Sequence, residues 1–212
     1  MRIDRAGFPF IAAALAPAVG LAIARRPALA TSFAALGGFF AYFFRDPDRR
    51  IPQAPALVVS PADGRVIIAG PADPRWAPPG EWKQITIFLS PTDVHINRTP
   101  VEGRITRIEY RPGRFLPAYN ANSNDNELNE IWITSGGKTI VVRQVVGILA
   151  RRIVCRVNEG DILERGQRIG LMKFGSRMDV FLPTSADICV DVGGHVVGGE
   201  TVLAVLEGSC AR

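Results

Sequence analysis

Residues 7–24 carry no charged side chain (GFPFIAAALAPAVGLAIA), and after Arg25, Arg26 and Pro27 a second uncharged stretch runs from Ala28 to Phe44 (ALATSFAALGGFFAYFF). Few features constrain a chain more, because a helix that is apolar all round has no face to offer water. The runs are 18 and 17 residues long, the short end of the about 17–25 that a spanning helix needs. They predict two helices joined by a tight Arg-Arg-Pro turn. Arg2 and Arg5 precede the pair and Arg45, Arg49 and Arg50 follow it, against Arg25 and Arg26 in the turn. The excess of arginine at the outer ends puts both ends on the cytoplasmic side of an inner membrane. A hairpin lying in the interface is the alternative. Ala28-Leu29-Ala30 mimics a signal-peptide cleavage site, but the arginines just before it and the apolar run just after it argue against cleavage. The expected organisation is a membrane-associating helical hairpin over 1–50 and one further domain over 51–212.

The charge balance narrows the partners. The chain has 25 Lys+Arg against 20 Asp+Glu, a net +5. The basic residues form no run and are not interleaved with aromatics, which excludes nucleic acid and leaves anionic lipid headgroups as the natural counterpart. Three cysteines, Cys155, Cys189 and Cys210, show no CxxC or Cys/His spacing. That argues against a zinc site or a disulfide framework and for a reducing, cytoplasmic setting. Cys155 and Cys189 lie in β-like runs and read as small core residues.

Past Pro52, Pro55 and Pro61 the pattern is β: short Val/Ile-rich runs separated by Gly, Pro, Asp and Asn. Runs 65–68, 84–89, 103–108, 130–134 and 139–146 are the clearest, and there is no strong helical period after residue 50. The expected fold class is mainly β, an antiparallel sandwich or barrel-sandwich-like domain behind an N-terminal apolar helical hairpin. The glycines of 158–170 and 192–201 have the turn grammar of barrel-sandwich carrier modules, since glycine admits the positive φ of tight hairpins.

Three segments carry the candidate chemistry. Ser60-Pro61-Ala62-Asp63-Gly64-Arg65-Val66 reads by itself as an Asp-Gly turn opening a strand. Leu89–Pro100 (LSPTDVHINRTP) holds His95, one of two histidines, between apolar neighbours. Its side chain titrates where proton transfer near neutral pH needs it. Met172–Val180 (MKFGSRMDV) holds Gly175-Ser176, which as a bare dipeptide is only a bulge or turn. Asp93 reads as a turn cap with a place near His95, and His195 as a surface residue in a glycine-rich turn.

Together these segments resemble the phosphatidylserine decarboxylase family, in particular its short bacterial and archaeal branch. The resemblance runs from about Phe44 to near the C-terminus. Its most specific elements are Pro-Ala-Asp-Gly, the Asp-Val-His segment ending in Thr-Pro-Val-Glu-Gly, and Phe-Gly-Ser-Arg. The segment Phe115–Glu127 matches more loosely: the expected Lys, and the Arg after Glu, are absent, and Leu128 follows Glu127.

The resemblance implies a pyruvoyl-dependent carboxy-lyase made as a zymogen. Asp63, His95 and Ser176 would be the catalytic, self-processing triad, and the chain would cut between Gly175 and Ser176. Large chain 1–175 and small chain 176–212 would then stay together as a heterodimer, with room for a higher homo-oligomer. Ser176 would become a covalent pyruvoyl cofactor, with no metal. That group would form a Schiff base with phosphatidylserine and release carbon dioxide to give phosphatidylethanolamine. Archaetidylserine is the related substrate. Arg177 and Lys173 would hold a headgroup phosphate, the alternative being that they and Arg98 are solvated strand residues. Two other readings stand beside this one: a membrane-tethered barrel-sandwich adaptor in which Gly175-Ser176 is a turn, and a pyruvoyl decarboxylase of a soluble amine-bearing acid.

Overall fold

The computed structural model describes residues 2–116, 125–147, 152–173, 176–208 and 210, and the chain divides into two compact units, Met1–Asp48 and Arg49–Arg212. In the first unit a short β1 (Arg2–Ile3) pairs antiparallel with β2 (Arg45–Asp46). Between them lie a 3-10 turn (Arg5–Gly7), α1 (Phe8–Ile23) and α2 (Pro27–Phe43). The turn between the helices is closed by Arg26 N–H donating to the Leu21 carbonyl (2.9 Å), with Arg25 at φ 53°, a left-handed C-terminal cap that a non-glycine residue rarely adopts. Pro27 then starts α2 without wasting a donor. The helices meet closely at Gly37, where a Cβ would sit 2.6 Å from a Leu15 methyl. Phe10 stacks on Phe44 and tilts on Phe40. Phe8, Val19, Ile23 and Leu29 are exposed. The stretch Arg5–Ile23, 19 residues, is long and apolar enough to cross a membrane, while Pro27–Phe43 is shorter.

The second unit is mainly antiparallel β, as expected. Its strands are β3 (Leu57–Val59), β4 (Gly64–Pro71), β5 (Trp82–Leu89), β6 (Ile96–Arg98), β7 (Gly103–Arg111), β8 (Leu128–Ser135), β9 (Lys138–Val146), β10 (Ile153–Cys155), β11 (Ile162–Leu163), β12 (Arg168–Met172), β13 (Ser176–Pro183), β14 (Asp187–Ile188), β15 (His195–Val196) and β16 (Val202–Val205). Among the described residues they form an eight-stranded sheet in the order β11-β7-β8-β9-β13-β5-β4-β15, with two three-stranded sheets, β10-β12-β6 and β14-β16-β3.

Alternation along the large sheet sends Ile85, Ile87, Leu89, Ile131, Ile133, Ile140, Val142, Met178, Val180 and Leu182 to one face, the core. β13 is central and buried on both sides, so it does not show the apolar–polar alternation of a half-exposed strand. Its other face holds a row of charges. Arg143 donates to Glu130 Oε1 from Nε (2.8 Å) and Nη2 (2.5 Å), and Thr86 Oγ1 donates to Asp179 Oδ1 (2.9 Å). The Trp76 carbonyl, from the segment joining β4 to β5, accepts from Arg143 Nη1 (2.7 Å). On the exposed side of that segment the Arg75 guanidinium beside Asp73 holds the Asp73 carboxyl down at about 2.

The cysteines overturn one expectation. Cys189 and Cys210 form a disulfide (Cα–Cα 5.5 Å), and only Cys155 is free. Their 21-residue separation carries no motif. The β14–β16 pairing places Cys189, whose N–H donates to the Leu203 carbonyl, beside Asp187, whose carboxylate accepts from Cys210 N–H. Cysteine usage therefore no longer argues for a reducing setting.

Candidate active site

The site is built around the end of β5. In the antiparallel register Ser176, the first residue of β13, lies opposite Leu89 on one side and Val146 of β9 on the other. On the far side of β5, Arg65 of β4 pairs with Phe88, so Asp63 and Gly64 come to the same end. Gly64 is required there: its φ is 153° and a Cβ would sit 2.2 Å from the Phe88 carbonyl oxygen. Beyond Leu89 the chain turns at Ser90–Asp93, passes His95 and enters β6 at Ile96. The His95 carbonyl accepts from Met172 N–H (3.3 Å), the last residue of β12 before the approach to Ser176. Asp63, His95 and Ser176, spread over more than half the sequence, thus converge through strand pairing.

Ser176 is fully buried, and its Oγ has no hydrogen-bond partner among the described residues. A buried hydroxyl without a partner costs about 1–3 kcal/mol, so it calls for an explanation. Gly175 lies outside the described residues, as does most of the loosely matching segment 115–127.

His95 is 1% exposed, and its Nδ1 is 2.9 Å from the Asp93 carbonyl oxygen. A carbonyl only accepts, so Nδ1 carries the hydrogen and the lone pair of the neutral ring is at Nε2. Asp93 itself caps its turn, Oδ2 accepting from Ser90 N–H (2.8 Å), and its Oδ1 lies 3.3 Å from Nε2 of the exposed His195.

Asp63 has other partners than the imidazole. Arg49 Nη2 donates to both its oxygens (2.9 and 2.8 Å) and Gly198 N–H to Oδ1 (2.8 Å), with both side chains nearly buried. The expected carboxylate–imidazole bond is therefore replaced at Nδ1 by a backbone carbonyl, because the Asp93-x-His95 spacing brings that carbonyl within reach of the ring.

Arg177 is buried, not solvated. It points to the face opposite Ser176, its Nε 3.0 Å from Asp179 Oδ1 and its Nη2 3.1 Å from Asp179 Oδ2. Arg98 is also buried, donating to the Gly166 carbonyl (3.0 Å). Lys173 is half-buried at the end of β12. Two features lay in segments already singled out but were not assigned: Arg49, read only as flanking charge, and Asn97, two residues after His95. Asn97 is fully buried and accepts at Oδ1 from Gln144 Nε2 (2.8 Å).

An unpartnered buried serine with a histidine and a carboxylate brought toward one strand end is an arrangement that can support nucleophilic chemistry. The family model for phosphatidylserine decarboxylase matches residues 36–204. A phosphatidylserine decarboxylase proenzyme of Symbiobacterium thermophilum is 46% identical over 209 residues, covering 96% of this chain and 95% of that one. Proteins with the same name from Desulfotalea psychrophila (40% identical; 95% of each chain) and Geotalea uraniireducens (44%; 94% of each) match along comparable lengths. The chain belongs to the phosphatidylserine decarboxylase family, whose members are pyruvoyl-dependent decarboxylases, that is, lyases.

Proposed function

We infer that this chain is a proenzyme that cuts itself between Gly175 and Ser176 and, once cut, decarboxylates phosphatidylserine to phosphatidylethanolamine. The observation that carries this is Ser176: a fully buried hydroxyl with no partner among the described residues, at the start of the central strand and beside the histidine turn. His95 Nε2 takes the Ser176 proton as Oγ adds to the Gly175 carbonyl. The C–N bond then breaks, the proton passes to the Ser176 nitrogen, and an ester remains. Loss of the Ser176 Cα proton expels the Gly175 carboxylate, and hydrolysis of the resulting dehydroalanine releases ammonia. Asp63, held by Arg49, sets the charge at this end of β5.

A group made from Ser176 fits the place the serine already fills, on a face from which the Arg177 charge is turned away. The pyruvoyl carbonyl supplies an electrophile that condenses with an amine and draws off the electrons released as carbon dioxide leaves. His95 returns a proton to the substrate carbon that has lost its carboxylate. Arg177 is held by Asp179; Lys173 is the cation offered for a headgroup phosphate. The apolar hairpin holds the domain at the cytoplasmic face of the inner membrane, where a lipid headgroup lies within its reach.

Intact-mass measurement tests the cut. Wild-type protein gives two chains split after residue 175, the smaller with a blocked N-terminus, which co-elute in native buffer and separate only in denaturant. Ser176→Ala gives one chain. A single uncut wild-type chain overturns the reading. Vesicles of phosphatidylserine, vesicles of archaetidylserine and free serine, offered to the cut enzyme, then identify the substrate by the carbon dioxide released.

A further inference from the structure

Inside the core an amide chain crosses from the large sheet to the small one. Asn129 Nδ2 donates to Gln144 Oε1 (3.0 Å), and Gln144 Nε2 donates to Asn97 Oδ1 (2.8 Å). All three side chains are buried, Gln144 and Asn97 completely. The oxygens of Gln144 and Asn97 both accept within the chain, and it ends in a donor: Asn97 Nδ2, buried and without a hydrogen-bond partner among the described residues. Leaving such a donor unpaired costs about 1–3 kcal/mol.

The position of this donor gives it a use. His95 lies one residue before β6, but its carbonyl accepts from Met172 N–H and so continues the β6–β12 register. Residues two apart along such an extended stretch share a face, so His95 and Asn97 look the same way. The Gln144–Asn97 bond shows that this face looks onto the core side of β9. Gln144 lies opposite Met178, and Val146, on the same side of β9, lies opposite Ser176. Ser176, on the same face of β13 as Met178, likewise has a buried Oγ without a partner among the described residues. A reserved N–H, a base and an unbonded hydroxyl therefore face one space.

We propose that Asn97 is a catalytic residue of the self-cleavage: its Nδ2–H receives the oxygen that becomes negative when Ser176 Oγ adds to the preceding carbonyl. As the new C–O bond forms, the carbonyl π pair moves onto that oxygen, and the proton leaves Oγ for His95 Nε2. When the C–N bond breaks, the pair returns and the donor is free again. A donor fixed in advance by Gln144 and Asn129 stabilises this charge without reorganising. In the intact precursor no such charge exists, which accounts for the orphaned N–H. The assignment rests on the self-cleavage reading above and names a residue that reading does not need.

The test is a time course of chain cutting during cell-free synthesis, read by gel and intact mass. Wild type is compared with Asn97→Asp, which keeps the shape and loses the donor, and with Ser176→Ala as the uncut reference. Asn97→Asp is expected to cut about 10²–10³-fold more slowly, the usual loss for one such donor, and a cooperative melting transition establishes that it has folded. Cutting at the wild-type rate overturns the assignment of Asn97 and leaves self-cleavage standing. An uncut wild type overturns both. Should Asn97→Asp fail to fold, Asn97→Ala carries the same comparison, and rapid cutting by that variant is equally fatal to the proposal.

Discussion

The Nδ1–H of His95 is committed to the Asp93 carbonyl, so any proton the ring accepts arrives at Nε2. His95→Gln removes the basic nitrogen but keeps a polar side chain of similar reach. It is expected to fold and to accumulate as one uncut chain, and normal processing of this variant would remove His95 from the mechanism. Asp63 is a milder case. Asp63→Asn keeps an acceptor for Gly198 N–H but leaves the nearly buried Arg49 charge without its counter-ion. Slower cutting with a lowered melting temperature is expected, by an amount smaller than for His95→Gln. Both residues stood out in the sequence by their frames. Their partners did not, because Arg49 and the Asp93 carbonyl reach them through a loop closure and a local turn that no residue pattern announces.

Strand β13 combines two jobs: it begins at Ser176, the serine proposed to react, and it lies in the middle of the large sheet. Its even-numbered residues fill the core, and its odd-numbered residues Arg177 and Asp179 enter the charge row that continues through Arg143 to Glu130. A buried ion row is weak evidence of stability in itself, but removing one member strands another. Glu130→Ala, leaving Arg143 buried beside a cavity, is expected to cost about 3–5 kcal/mol. Guanidinium unfolding of the uncut Ser176→Ala protein measures it, since an uncut chain keeps the transition simple. A cost below about 1 kcal/mol would show that the row is solvated in solution. The strands themselves were legible: runs 65–68, 84–89, 103–108, 130–134 and 139–146 all lie within strands β4, β5, β7, β8 and β9. The charge row was not, because charged residues alternating with apolar ones normally mark a solvent face. Whether a sheet's second face is covered depends on segments far away in sequence, here the one carrying Trp76.

At the scale of the whole molecule, the units Met1–Asp48 and Arg49–Arg212 each have their own interior. A chain starting at residue 49 is therefore expected to fold and to cut itself after Gly175, but to stay in the aqueous phase when the full chain floats with anionic vesicles. An uncut or aggregated 49–212 would make the hairpin part of the folding unit. Equal flotation of both chains would place the lipid contact on the β unit. The sequence alone determined the apolar hairpin, the β character of the rest and the motif segments around Asp63, His95 and Ser176, because periodicity, turn chemistry and short motifs act over a few residues. Tertiary structure alone decided four things: the Cys189–Cys210 disulfide, the pairing of Asp63 with Arg49, the withdrawal of Arg177 to Asp179, and the reserved donor on Asn97. Each depends on which strand lies beside which, and pairings between strands dozens of residues apart are set by the burial of the whole sheet, not by any stretch of it.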